Sequence, residues 1–293
     1  MQRIFLFAIT NIAVLVVISL TFSLLGLDQY LAQQGMNMPF LLLFAALFGM
    51  GGSVISLLLS KTMAKRMTRA RVIDQPATAD ERWLVETVRR QAMLAGIEMP
   101  EVAIYPAPEM NAFATGANRN AALVAVSDGI FRKMSRDELE AVLGHEISHV
   151  ANGDMVTMAL LQGVLNTFVI FFARIVAQVV SSAGSRDGQR GGNFMIYFAV
   201  NMIAQVVFGI LASVVSSWFS RKREFRADIG GANLAGRDKM VAALRRLQSG
   251  EPAQLPEQLD AMGISASVTS GLASLLHSHP PLERRIEALL ETS

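Results

Sequence analysis

The sequence predicts an α-helical membrane protein that carries an α+β lobe, mostly helical with a small β-sheet. Three observations lead there. Apolar residues make up 52% of the 293 positions and gather into four long runs, which is too apolar for an ordinary soluble domain. Between the second and third runs, short β-patterned segments alternate with helical ones. The last of those helical segments holds His145-Glu146-Ile147-Ser148-His149, an H-E-x-x-H pattern.

The first run, Ile4 to Leu27, would span about 36 Å as a helix, enough for a bilayer core. It is long for a signal peptide and lacks an A-x-A cleavage site. Pro39 to Ser60 is the second run, Val156 to Val180 the third and Phe194 to Phe219 the fourth. The third contains Gln162, Asn166, Arg174 and Gln178. It therefore reads either as a membrane helix facing protein or as a helix packed in the lobe or lying at the interface. Ser181 to Asn193, rich in Gly and polar residues, reads as a flexible loop on the far side of the membrane.

Positive charge orients the chain. Lys61, Lys65, Arg66, Arg69 and Arg71 follow the second run, and Arg221, Lys222 and Arg223 follow the fourth, whereas Asp28 to Met38 carries no basic residue. Both termini and the catalytic residues are thus expected in the cytoplasm. The chain has no cysteine, which excludes disulfides and thiolate metal ligands. A formal charge of only +2, with the basic residues beside apolar runs, points to contact with the lipid bilayer and not to nucleic acid.

The organisation expected is fourfold: 1–71, two membrane helices with a basic flank; 72–155, a first catalytic part; 156–223, a helical hairpin; 224–293, a second, helical part. In the first part a helix is expected from about Asp80 to Leu94. Strands are expected at Val102 to Tyr105, Asn111 to Thr115 and Ala122 to Val126, split by Pro and Gly turns. Ser135-Arg136-Asp137-Glu138 is a capping box that starts the motif helix.

On that helix His145 and His149 lie four apart on one face and can offer two imidazoles to one metal ion. Leu139, Val142 and Leu143 give the helix an apolar face, so the histidines are half-buried and need a partner. Glu146 can reach a water on that metal, which is the apparatus of metal-assisted peptide hydrolysis. A third ligand is required. With no cysteine and no nearby histidine, a carboxylate is expected, and Glu224 is the best candidate. Asp228, one turn on, could orient a ligating imidazole through its remote nitrogen. The alternative is an exposed acidic pair among Arg221, Lys222, Arg223 and Arg226. Asn111 follows Pro106 and Pro108 and reads as either a strand edge or a turn residue. His279 and Arg285 could donate to a tetrahedral intermediate, or could cap a helix and form ion pairs.

These motifs resemble the HtpX family of membrane zinc metalloproteases, which is similar to the prenyl-protein CaaX proteases. The resemblance rests on His145 to His149 with Asn152-Gly153-Asp154, on Glu224-Phe225-Arg226-Ala227-Asp228, on Asn111-Ala112-Phe113-Ala114, and on His279-Pro280-Pro281-Leu282 with Arg285. It implies a gluzincin-like lobe and one Zn2+ per chain, held by His145, His149 and Glu224. It also implies an oxyanion role for Asn111 on a substrate-binding edge. The expected protein is a multi-pass endopeptidase of the bacterial inner membrane that acts on misfolded or damaged membrane proteins. A CaaX-type prenyl-protein endopeptidase is the enzymatic alternative, and a non-catalytic zinc-binding membrane protein the other. Glu146 separates the last, because binding zinc does not require it.

Overall fold

The computed structural model describes residues 36–183, 190–249 and 278–291, together with 26–33 and scattered positions before them. The membrane helix expected over Ile4 to Leu27 lies outside the described residues apart from those few positions, as does the 250–277 stretch of the expected second catalytic part. Contacts divide the chain into two units. One comprises Met1–Ile55 and Ala159–Val214, the other Ser56–Met158 and Val215–Ser293.

In the first unit, α1 (Leu27–Gln33) starts on the last residue of the first run and extends into the Asp28 to Met38 segment between the first two runs. Helix α2 (Met38–Thr68) starts one residue before the expected run and continues eight residues beyond it. Helix α6 (Asp154–Ala183) and helix α7 (Arg190–Ala235) carry the third and fourth runs. Both helices reach into the segment expected as a loop, to Ala183 and from Arg190. α2, α6 and the Phe194–Ala235 part of α7 are long and apolar enough to cross a membrane. Large apolar residues are exposed along them, such as Phe40, Leu47, Phe48, Phe194, Ile203 and Val206, as expected of surfaces facing lipid.

The polar residues of the third run have partners in this unit. The Gln162 amide donates to Asn166 Oδ1 at 2.9 Å, and the Arg174 guanidinium sits 3.9 Å from the Phe44 ring centroid. Gly49 lets α2 and α6 touch: a Cβ there would lie 2.5 Å from Thr167 N.

The second unit is built on a mixed sheet of order β1-β2-β4-β3, with β1 (Arg71–Val72), β2 (Glu101–Tyr105), β3 (Ala112–Thr115) and β4 (Leu123–Ser127). β2 and β4 are parallel; β1 and β3 are antiparallel to their neighbours. Three of the strands fall within a residue of the segments that the Pro and Gly turns mark off. The two-residue β1 has no alternation to betray it.

Strand alternation sends Val102, Ala112, Ala114, Val124 and Val126 into the main core. There they meet Leu84 and Val88 of α3 (Ala79–Leu94) and Leu139, Val142, Leu143 and Ile147 of α5 (Arg136–Asn152). Met240 and Leu244 of α8 (Arg237–Gln248) and Leu282 and Leu289 of α9 (Leu282–Glu291) complete it. Each such side chain contributes about 1.5–3 kcal/mol by leaving water. Ala103, Tyr105, Phe113, Leu123 and Ala125 point the other way, against Ala64. A short helix α4 (Asp128–Lys133) joins β4 to α5.

Helix α3 begins with a second capping box. Thr78 Oγ1 accepts from Glu81 N at 3.1 Å while Glu81 Oε2 accepts from Thr78 N at 3.3 Å. The same carboxylate binds Arg71 at 2.5 Å and so ties β1 to the helix.

Candidate metal centre

Helix α5 is fixed at both ends. Ser135 caps it as the sequence predicts, with Glu138 Oε2 accepting from Ser135 N at 2.7 Å. At the other end Gly153 adopts φ 64°, a left-handed conformation that suits glycine. Its N–H bonds back to His149 and Val150 carbonyls, and α6 starts at once with Asp154. The apolar face of α5 packs into the core, which leaves His145, Glu146 and His149 at 1%, 1% and 8% exposure.

The fourth run and the Glu224 segment form one helix, since no Pro or Gly interrupts Phe219 to Asp228. Glu224 is not on a solvated charge face: it is 0% exposed. His145 Nε2 lies 3.1 Å from His149 Nε2 and 3.5 Å from Glu224 Oε2, and His149 Nε2 lies 3.2 Å from Glu224 Oε1. Four-coordinate zinc with ligands at about 2.0–2.1 Å requires ligand atoms roughly 3.3 Å apart. Both Glu224 oxygens are buried with no well-formed hydrogen bond, and the nearest guanidinium nitrogen, Arg285 Nη1, stands 3.4 Å off, which leaves carboxylate lone pairs for a metal ion. The two imidazoles and the carboxylate therefore fit a metal ion as a set.

The remote ring nitrogens are held. His145 Nδ1 lies 2.9 Å from Asp228 Oδ1, the contact proposed from the sequence, and His149 Nδ1 lies 2.7 Å from Asp154 Oδ2. An Nδ1–H donated to each carboxylate leaves each Nε2 lone pair for the metal. Asp154 is 1% exposed and also accepts from Arg226 at 2.9 Å. Its contact with His149 is absent from the sequence reading. The signal is Gly153, whose turn brings the next helix's first carboxylate back toward His149.

Glu146 shares the cluster. Burial pushes its carboxyl up to about 8; Glu224 pushes the same way, while His149, Arg223 and Arg285 oppose it. Its Oε2 is buried without a hydrogen-bond partner. Burial works against a charged His145, yet Asp228 and Glu224 hold its pKa above the usual value.

The C-terminal residues also reach the cluster. His279 Nδ1 lies 3.0 Å from Glu224 Oε2. Arg285 is 0% exposed and grips Asp228 with two donors, Nε at 2.8 Å and Nη2 at 2.6 Å; its Nη1 stands 3.4 Å from Glu224 Oε2. Arg285 thus supports the carboxylate that supports His145, a contact not foreseen. Asn111 immediately precedes β3, which pairs only with β4 among the described residues. Its N–H donates to Ser127 Oγ at 3.1 Å, its carbonyl accepts from Ser127 N at 2.9 Å, and it is 2% exposed.

Residues 78–293 match the family described as Peptidase family M48. A Protease HtpX homolog of Nitrosomonas europaea is 58% identical over 292 residues, covering 99% of both chains. A Protease HtpX of Hydrogenovibrio crunogenus is 57% identical, covering 100% of this chain and 98% of the relative. Among solved structures, a crystal structure of S. mikatae Ste24p superposes with a TM-score of 0.64 at 18% identity. That alignment covers 99% of this chain and 67% of the other, and supports the fold. With near-full-length relatives at this identity and the family's sequence pattern running from residue 78 to the end, the chain belongs to peptidase family M48 and is a membrane metalloprotease.

Proposed function

We propose that the protein holds one zinc ion on His145, His149 and Glu224 and uses it to hydrolyse peptide bonds of misfolded or damaged membrane proteins at the cytoplasmic face of a bacterial inner membrane. The observation that carries the metal assignment is the spacing of the three ligand atoms, 3.1, 3.2 and 3.5 Å, with both remote imidazole nitrogens held by carboxylates. When bound, zinc supplies a Lewis acid that polarises the scissile carbonyl and acidifies the attacking water.

The chain's residues do the rest. Glu146, buried beside the ligands, would be ionised once the positive charge of bound zinc offsets its burial; it then takes the proton of the attacking water and passes it to the leaving amine. Asp228 and Asp154 keep both imidazoles in the tautomer that presents Nε2. Arg285 fixes Asp228 and adds positive charge beside Glu224. His279 donates to the developing oxyanion, a role that its position next to Glu224 supports, and Asn111, which precedes β3, an edge strand among the described residues, steadies an extended substrate.

Four membrane runs divide the chain as 1–71, 72–155, 156–223 and 224–293. The basic residues after the second and fourth runs support a multi-pass topology with the catalytic parts and both termini in the cytoplasm. Backbone pairing to an edge strand is largely blind to sequence, so extended, unfolded segments are the expected substrates. The test uses protein reconstituted in vesicles with one membrane substrate, presented folded or carrying an unfolded cytoplasmic loop. Cleavage confined to the unfolded loop is expected. Equal cleavage of the folded form, or of loops on the opposite face only, contradicts the reading.

A further inference from the structure

We propose that Gly230 and Gly231 are positioning residues for the metal: their missing side chains set the register of the two helices that carry its ligands. The proposal rests on the assignment of His145, His149 and Glu224 as ligands. Those ligands come from α5 and α7, and nothing covalent near the site fixes one helix to the other. Along α7, Glu224, Asp228 and Gly231 stand at i, i+4 and i+7, on one stripe. Glu224 meets His149, Asp228 meets His145, and Gly231 meets the Gly144–His145 backbone. The two helices therefore run antiparallel here, and the glycine contact is the end of the zipper that the ligands continue.

The contact leaves no room. A Cβ on Gly231 would lie 2.9 Å from His145 N, 3.2 Å from His145 Cα and 3.1 Å from Met240 Sδ. A Cβ on Gly230 would lie 2.8 Å from Ser148 Cβ and closer still to Ser148 Oγ. Gly144 answers from the other helix: its Cβ would meet Gly231 O at 3.2 Å and Gly231 Cα at 3.3 Å. Ordinary carbon contacts begin at about 3.5 Å, so an alanine at 231 needs roughly 0.6 Å of separation. The obstacle is backbone, which cannot swing aside as a side chain does. Metal sites tolerate about 0.2 Å in ligand distance. Separation at Gly231 therefore moves Glu224 and Asp228 away from His145 and His149 by more than the site accepts.

Fold alone does not demand this closeness, since helices ordinarily pack about 8–10 Å apart with side chains between them. At His145 the closeness has a second use: it brings Asp228 within 2.9 Å of Nδ1.

The experiment compares full-length wild type, Gly231→Ala, Gly230→Ala, Gly230→Ala with Ser148→Gly, and His149→Ala in detergent. Zinc affinity is read by competition with a chelator, and the melting temperature of each zinc-free protein is read separately. Gly231→Ala and Gly230→Ala should bind zinc at least about tenfold more weakly, while their zinc-free forms still melt cooperatively. Ser148→Gly moves the vacancy to the other helix and should restore zinc affinity to Gly230→Ala, despite glycine's cost in a helix. A merely structural role would lower the melting temperature in both and give no such rescue. Should Gly231→Ala fail to fold, Gly144→Ala is the milder displacement of the same contact and should weaken zinc in the same direction. Wild-type zinc affinity in the folded glycine variants, with His149→Ala losing zinc, overturns the proposal and leaves the ligand assignment standing. Wild-type affinity in His149→Ala overturns both.

Discussion

Asp154 tests how much of the metal site depends on groups that do not touch the metal. Its carboxylate is 1% exposed, with one oxygen 2.7 Å from His149 Nδ1 and the other 2.9 Å from Arg226 Nη2. Asp154→Ala leaves the His149 Nδ1–H with no acceptor and frees the ring to turn. Such losses typically weaken metal binding by about 10–100-fold, or roughly 1.4–2.8 kcal/mol. Asp154→Asn keeps an acceptor oxygen and loses only the charge, so it should fall at the lower end, about tenfold or less. Arg226 is the control. Its side chain is 59% exposed, and Asp154 keeps its contact with His149 when Arg226 is removed, so Arg226→Ala should weaken zinc less than Asp154→Ala does, by less than about fivefold. The assay is zinc competition with a chelator on the purified protein. The order expected is Asp154→Ala weakest, then Asp154→Asn, then Arg226→Ala close to wild type. Wild-type affinity in Asp154→Ala, or equal losses in Asp154→Ala and Arg226→Ala, would refute the argument that His149 is aimed by this carboxylate.

Other expectations follow from the same structure. Glu224→Ala should lose zinc and activity together, and Asp228→Ala should weaken zinc more mildly, by about 10–100-fold; full zinc occupancy at unchanged affinity in Glu224→Ala would place the third ligand elsewhere. Cysteine introduced at 186 should be labelled from outside the cell by an impermeant thiol reagent, and at Arg69 only after the membrane is opened; the cysteine-free background makes either result readable. Glu81 titrates low because of its bond to Arg71 and those from the Ala77 and Thr78 amides. A depressed folded-state pKa stabilises above the unfolded value, and that contribution is lost as pH falls through the folded one. Glu81→Gln should therefore melt lower than wild type at pH 7, with the gap closing below about pH 4.5. A constant gap across that range would show that the charge is not what matters.

The parts of the fold legible in the sequence are those with short-range causes. The Ser135 capping box, the two histidines one turn apart and the three short segments split by Pro and Gly turns each depend on neighbours within a few residues, and each element appears within a residue of where those signals place it. The Thr78 box was equally visible in Thr78-Ala79-Asp80-Glu81, and it starts α3 a residue before the expected Asp80. What escaped depends on partners far along the chain. Charged residues from Lys61 onward look like a flank, yet α2 continues to Thr68, with Ala64 packed against the sheet and Lys61 and Lys65 paired with Glu101. Arg285 reads from sequence as either a donor to the intermediate or an ion-pair partner, and only the fold names that partner as Asp228, 57 residues away. Gly230 and Gly231 look like weak points in a helix, and only the approach of His145 and Ser148 explains them.

The central claim is that Glu146 performs chemistry beside a metal it does not hold. Its most direct test is peptide hydrolysis by purified Glu146→Gln, with zinc content measured on the same sample. The ligands His145, His149 and Glu224 are untouched, so zinc should remain at one per chain while turnover of an unfolded membrane substrate falls by about 10²–10⁴-fold. Near-wild-type turnover in a preparation free of other proteases, or loss of zinc along with activity, would contradict it.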